Sequence, residues 1–280
     1  MAQAVPVRRN VTRARVLAVR SEQAHERPDH LAAEEPMEIR VEGPGQRPVS
    51  VAVTMRTPGG DFELAAGFLL TEGLVAGRDD IRSVSYCEDL DPSEQRYNVV
   101  TVQLASPFDE SRLSRNFFAT SSCGICGKAA LEHVEVRCAP VGPGPTVEAA
   151  VVSGLPDELQ RAQRVFLETG GLHAAGLFAT DGTLVSLRED VGRHNAVDKI
   201  VGEALLAGQV PLSRRILLVS GRASFEIVQK AAVAGLPVVA AVSAPSSLAV
   251  EAADRFGMTV VGFLREDRFN VYTHPERIAV

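Results

Sequence analysis

The chain has no basic excess, no long apolar run and few cysteines, and each lack removes a class of protein. Its 29 lysines and arginines stand against 35 acidic residues, a formal net charge of −6. Proteins that bind duplex nucleic acid usually carry the opposite balance, so no nucleic-acid partner is expected. No apolar stretch approaches the roughly 20 residues that cross a bilayer as a helix, so no membrane span is expected either. Arg8-Arg9 is a twin arginine, but Val11, Val16, Leu17 and Val19 after it are interrupted by arginine and threonine, which breaks the apolar core a secretion signal requires. Residues 1–30 therefore read as a polar, mobile leader. Four cysteines in 280 residues are too sparse for a disulfide-built fold. The default compartment is a reducing cytoplasm, where a close cysteine pair points to redox chemistry, metal or covalent catalysis.

What is present divides by texture. Residues 31–140 read as a small β-rich subdomain. Met37, Ile39 and Val41 alternate, Pro44-Gly45 turns the chain, and Val49, Val51, Val53 and Met55 alternate again, which predicts a hairpin with one buried face. Asp61 is placed to cap a helix carrying Leu64, Ala65, Phe68 and Leu69 on one side. Further strands are predicted over 81–86 and 98–104. The Pro- and Gly-rich stretch 139–145 reads as a linker. Residues 141–280 read as an α/β domain: a helix through Leu155, Leu159, Ala162 and Phe166 that ends at Thr169, and a strand pair over 172–179 and 183–187. A helix through Ala196, Val197, Ile200, Val201 and Ala204 follows. Near-continuous apolar runs at 216–219, 238–242 and 259–263, separated by helices, predict parallel strands covered on their faces.

The stretch 106–128 has no clean period and holds Thr120-Ser121-Ser122-Cys123-Gly124-Ile125-Cys126-Gly127-Lys128, which places two cysteines on a loop. Zinc is one reading, but a single C-x-x-C supplies half of a tetrahedral set, and Cys87, Cys138 and His133 form no second close pair. A redox pair is another. Gly124 and Gly127 leave the backbone free to present both sulfurs. Lys128 and a short helix over 128–136 would favour thiolate over thiol. A thiolate of that kind can accept a sulfane sulfur as a persulfide. Cys87 and Cys138, alone in strand-like contexts, read as small buried hydrophobes.

Three polar segments stand at strand ends, where open α/β sheets place ligands. They are Glu189-Asp190-Val191-Gly192-Arg193-His194-Asn195, Ser220-Gly221-Arg222-Ala223-Ser224 and Ser243-Ala244-Pro245-Ser246-Ser247. Small and hydroxyl residues at helix N-termini make anion sites, and Arg193 and Arg222 suit phosphate. Arg193, His194, Ser220, Gly221, Arg222 and Ser243 are thus candidates for holding a phosphorylated ligand.

Taken in order, a set of motifs resembles the formate dehydrogenase accessory sulfurtransferase family, FdhD. They are Met55-x-Thr57-Pro58-Gly59, Gly67-Phe68-Leu69-x-x-Glu72-Gly73, Ser122-Cys123-Gly124-x-Cys126-Gly127, Thr169-Gly170-Gly171-x-His173, Glu189 through Lys199, Ser220-Gly221-Arg222 and Phe263-x-Arg265-x-x-Arg268. The resemblance implies a sulfurtransferase that takes sulfur from a cysteine desulfurase as a cysteine persulfide. It would pass that sulfur to the bis-molybdopterin guanine dinucleotide cofactor (Mo-bis-MGD) needed by formate dehydrogenase. It implies Cys123 as persulfide carrier, Cys126 as its partner, and Phe263, Leu264, Arg265, Glu266, Asp267 and Arg268 as a cofactor-binding stretch. GDP-like ligands would mimic part of that cofactor, and a homodimer is implied. The implied fold is a cytidine-deaminase-like three-layer α/β domain behind the smaller β-rich subdomain. Zinc deaminases place H-x-E and P-C-x-x-C at two successive helix starts. Here His194-Asn195-Ala196 lacks the glutamate and residues 220–225 lack both cysteines, so no metal is expected. A cofactor-binding chaperone without sulfur relay is the alternative.

Overall fold

In the computed structural model the structure describes residues 9–87, 97–111, 113 and 140–280. The cysteine segment, with Cys123, Cys126, Lys128 and His133, lies outside the described residues, as does Cys138.

The elements run in chain order as β1 (Val11–Arg20), β2 (Gln23–Ala32), β3 (Glu35–Glu42), β4 (Val49–Arg56), α1 (Asp61–Thr71), β5 (Ile81–Tyr86), β6 (Val99–Leu104) and β7 (Val147–Glu148). They continue as α2 (Ala149–Ala162), α3 (Arg164–Thr169), β8 (His173–Phe178), β9 (Leu184–Asp190), α4 (Arg193–Leu206), β10 (Ile216–Val219), α5 (Phe225–Val233), β11 (Val238–Ala241), α6 (Ser247–Arg255), β12 (Thr259–Arg265), β13 (Arg268–Val271) and β14 (Ile278–Ala279).

Two sheets sandwich a layer of helices. The smaller has the order β4-β3-β6-β5, and the larger β13-β12-β11-β10-β8-β9. As the apolar runs predict, β10, β11 and β12 are parallel, while β8, β9 and β13 join antiparallel. One core runs from Met37, Ile39 and Val100 of the small sheet, through Leu64, Ile200 and Val228 of the helices, to Leu217 and Val239 of the large sheet. A second core packs α2, through Val152, Leu155 and Leu159, on the other face at Phe178, Ile216 and Leu218. The β-rich region and the α/β region therefore share one interior. Their closest approach is α1 against α4. A Cβ on Gly67 would lie 1.8 Å from the Asp198 carbonyl oxygen, and one on Gly202 would lie 1.8 Å from that of Glu63. Two helix backbones touch there because neither residue has a side chain.

Four expectations are corrected. Residues 11–32 pair strand to strand as the hairpin β1–β2 rather than forming a leader, with Ala32 against Gly171 and His30 Nδ1 3.1 Å from Glu168. Its low apolar content hides it from period counting. In β4 a register shift at Ile39/Arg40 flips the strand, so Val49 and Val51 face inward but Val53 and Met55 are exposed. Asp61 does not cap α1: Gly60 holds that position in the left-handed region (φ 67°). The Asp61 carboxylate instead receives Nε and Nη2 of the buried Arg56 at 3.1 and 2.8 Å. The single helix expected to end at Thr169 is two, because the Glu189 carboxylate takes the amides of Val165 and Phe166 at 3.0 and 2.7 Å and caps a fresh start.

Candidate anion site at the strand ends

The parallel strands stop in step, and the chain beyond each is stitched to the next. Val242 N–H donates to Val219 O, Ser243 N–H to Gly221 O at 3.3 Å, and Phe263 N–H to Ser243 O at 3.1 Å. The segments at 220–222, 243–245 and 263 are thus held side by side at one edge of the sheet. Beyond two of them the chain enters a helix: Ser224 occupies the cap position of α5, and Ser246 caps α6, its Oγ accepting from Ala249 N–H at 3.3 Å.

The sequence-selected residues take distinct places. The Ser220 hydroxyl is committed to the frame, accepting from Ala174 N–H at 2.9 Å, while Arg222 is exposed. Arg193 and His194 open α4, with Arg193 Nε 3.5 Å from His194 Nε2. His194 Nε2 also lies 3.5 Å from Ser224 Oγ and 3.9 Å from Glu226. Phe263 is 44% exposed and holds a positive φ of 53° inside β12, where the ladder to β13 shifts register. A bulky residue in that region is a strained placement, found where a side chain is re-aimed. The bulge turns Phe263 outward and Leu264 inward, fully buried beside α2. Arg265 and Arg268 pair across the β12–β13 turn formed by Glu266 and Asp267, all four exposed.

Burial drives the electrostatics. It lowers the His194 pKa to about 4; Glu226 pulls the other way, while Lys230 and Arg193 add to the lowering, so the imidazole is neutral near pH 7. His173, whose ring faces Gly221, is lowered by burial and then by Arg193. Burial opposes ionisation of Glu226, but its own backbone amide and Ser224 outweigh that and hold it below the usual carboxylate value. The site therefore presents a guanidinium, neutral imidazole and helix N-termini toward solvent, an arrangement suited to phosphate.

Beneath this rim lies a buried group that period counting passes over. Asp190, fully buried at the end of β9, binds Lys199 Nζ at 2.6 Å. Its motif is visible in the sequence, but nothing in spacing tells a buried lysine from a surface one. Among the described residues no three His, Cys, Asp or Glu converge to hold a metal. Cys87 follows β5 and is half-buried, not a core residue.

The profile of the FdhD/NarQ family matches residues 32–279. This chain belongs to that family. It is 53% identical over 272 residues to the "Sulfur carrier protein FdhD" of Mycolicibacterium paratuberculosis, covering 95% of this chain and 98% of that one. It is 52% identical over 274 residues to the protein of the same name from Streptomyces coelicolor, covering 96% of this chain and 95% of that one. The crystal structure of a putative formate dehydrogenase accessory protein from Desulfotalea psychrophila superposes with a TM-score of 0.75 at 26% identity, over 97% of this chain and 100% of that one. For this family member no described helix is long and apolar enough to cross a membrane.

Proposed function

We propose that this chain is a cytoplasmic sulfur carrier serving formate dehydrogenase, a sulfurtransferase that loads sulfur on Cys123 as a persulfide and delivers it to Mo-bis-MGD bound as substrate. The observation that carries the reading is identity above 50%, over nearly the whole chain, to relatives named sulfur carriers. The thiolate of Cys123 attacks the sulfane sulfur of a cysteine desulfurase persulfide. A new S–S bond forms, and the desulfurase cysteine leaves as thiolate. The Cys126 thiolate then attacks Cys123 Sγ, the persulfide S–S bond breaks, and sulfur leaves at the sulfide level for the cofactor; the Cys123–Cys126 disulfide left behind is reduced by a cellular thiol. The strand-end site supports the second half of the reading: Arg193 and Arg222 meet phosphate oxygens, and Phe263 offers a ring face to a purine. Arg265 and Arg268 extend the same positive rim, with the chain acting as a homodimer. A cytidine-deaminase-like fold is supported by the order β9-β8-β10-β11-β12, with three parallel strands at one side.

The experiment is reconstitution of formate dehydrogenase with a desulfurase and cysteine. Wild type is expected to activate the enzyme and Cys123→Ala to abolish activation, while both bind GDP alike in calorimetry. Full activation with both Cys123 and Cys126 replaced would instead establish a cofactor-binding chaperone.

A further inference from the structure

Four hydrogen-bonding groups converge on the Asp190 carboxylate, and they come from two distant stretches of chain. Oδ2 accepts from Thr57 N–H at 3.1 Å and from Lys199 Nζ at 2.6 Å. Oδ1 accepts from Gly192 N–H at 2.8 Å and Asn195 Nδ2 at 3.0 Å. Lys199 Nζ in turn donates to Thr57 O at 2.9 Å and Glu189 O at 3.4 Å. The pair thus holds both backbone polar groups of Thr57. The seam is closed by Val191 N–H on Thr57 Oγ1 at 3.2 Å and by Asn195 Nδ2 on Met55 O at 2.8 Å. Asp190 and Lys199 are 0% and 1% exposed, and every buried side-chain N and O among the described residues has a partner.

Burying two charges gains little net stability compared with apolar packing, since desolvation offsets attraction. What such a pair provides is a fixed geometry. Its effect falls on one place: Gly192, whose amide it fixes, is the cap of α4, and the next two residues are Arg193 and His194. One side of the clamp is the end of β4 and the Thr57 backbone; the other is the turn that launches the anion-facing helix. We propose that Asp190 and Lys199 are positioning residues. They lock the first turn of α4 to the end of β4 and thereby set the angle at which Arg193 and His194 meet a phosphorylated ligand. The inference rests on the anion reading of the strand-end site, and no contact of the pair with ligand is needed.

The test is GDP binding by calorimetry alongside thermal unfolding, in the full chain. A matched control is available at the other end of the sheet. Arg277, 5% exposed, donates to Pro143 O at 2.6 Å and Gly142 O at 3.0 Å and so holds a loop backbone beside the start of β12. Lys199→Met is expected to weaken GDP binding about tenfold, with Lys199→Arg recovering part of the loss. Arg277→Met is expected to lose comparable thermal stability yet keep GDP affinity within about twofold. Equal affinities in wild type and Lys199→Met, or equal weakening in Lys199→Met and Arg277→Met, would overturn the positioning role. Should Lys199→Met not fold, Asn195→Ala removes one carboxylate partner from the seam. A severalfold weakening there supports the role, and unchanged affinity overturns it. Absence of GDP binding by wild type would overturn the anion reading itself, a result distinct from the others.

Discussion

The strand-end rim and the seam beneath it both carry charged side chains and behave in opposite ways. At the rim Arg222, Arg265 and Arg268 are exposed and Phe263 is turned out of its strand. In the seam Asp190, Lys199 and Thr57 are buried, with their polar groups shared across residues 133 and 142 positions apart in sequence. The difference teaches where geometry and chemistry reside: buried charges fix backbone, and exposed ones are the groups proposed to meet a ligand.

The comparison breaks most sharply at the seam. Asp190→Ala leaves a buried ammonium without its counter-charge and should cost about 4 kcal/mol in chemical unfolding. A loss below about 1 kcal/mol would mean the pair holds nothing. Next is the contact that joins the two sheets through their helices. Gly202→Ala puts a methyl against the Glu63 carbonyl and should cost about 3 kcal/mol, because two backbones must part. The rim should respond differently. Arg222→Ala is expected to lower GDP affinity about tenfold while leaving the melting temperature unchanged, since its guanidinium is solvent-facing.

His194 sharpens the contrast through pH. Its folded-state pKa is depressed to about 4, so the unfolded chain binds the extra proton first. Stability should decline as pH falls from the ordinary histidine value toward 4 and level off below it. His194→Gln should flatten part of that decline, and an identical pH profile would remove the assignment. The smallest effect belongs to the β1–β2 hairpin. Arg15 and Glu26 lie 3.6 Å apart, both largely exposed, so Arg15→Ala should change stability by less than about 0.5 kcal/mol.

The large sheet was legible because its buried parallel strands are continuous apolar runs, and 216–219 and 238–241 sit where those runs predict. The three polar strand ends proposed as an anion site were legible as segments: lateral hydrogen bonds set 220–222 beside 243–245, and His194 reaches Ser224 at 3.5 Å from the third. The rest depended on partners distant in sequence. A bulge adds one residue and leaves alternation looking intact, so Val53 and Met55 read as buried. The bulge in β12 hid the inward turn of Leu264 in the same way. Asp61 reads as a cap until Arg56 is seen beside it, and Glu189 gives no sign that it caps the start of a second helix.

The central claim is that sulfur travels on Cys123, and intact-mass measurement after incubation with a desulfurase and cysteine tests it most directly. The account predicts a gain of about 32 Da that is reversed by a thiol reductant and absent in Cys123→Ala. An unmodified wild-type mass, or the same gain in Cys123→Ala, would contradict it.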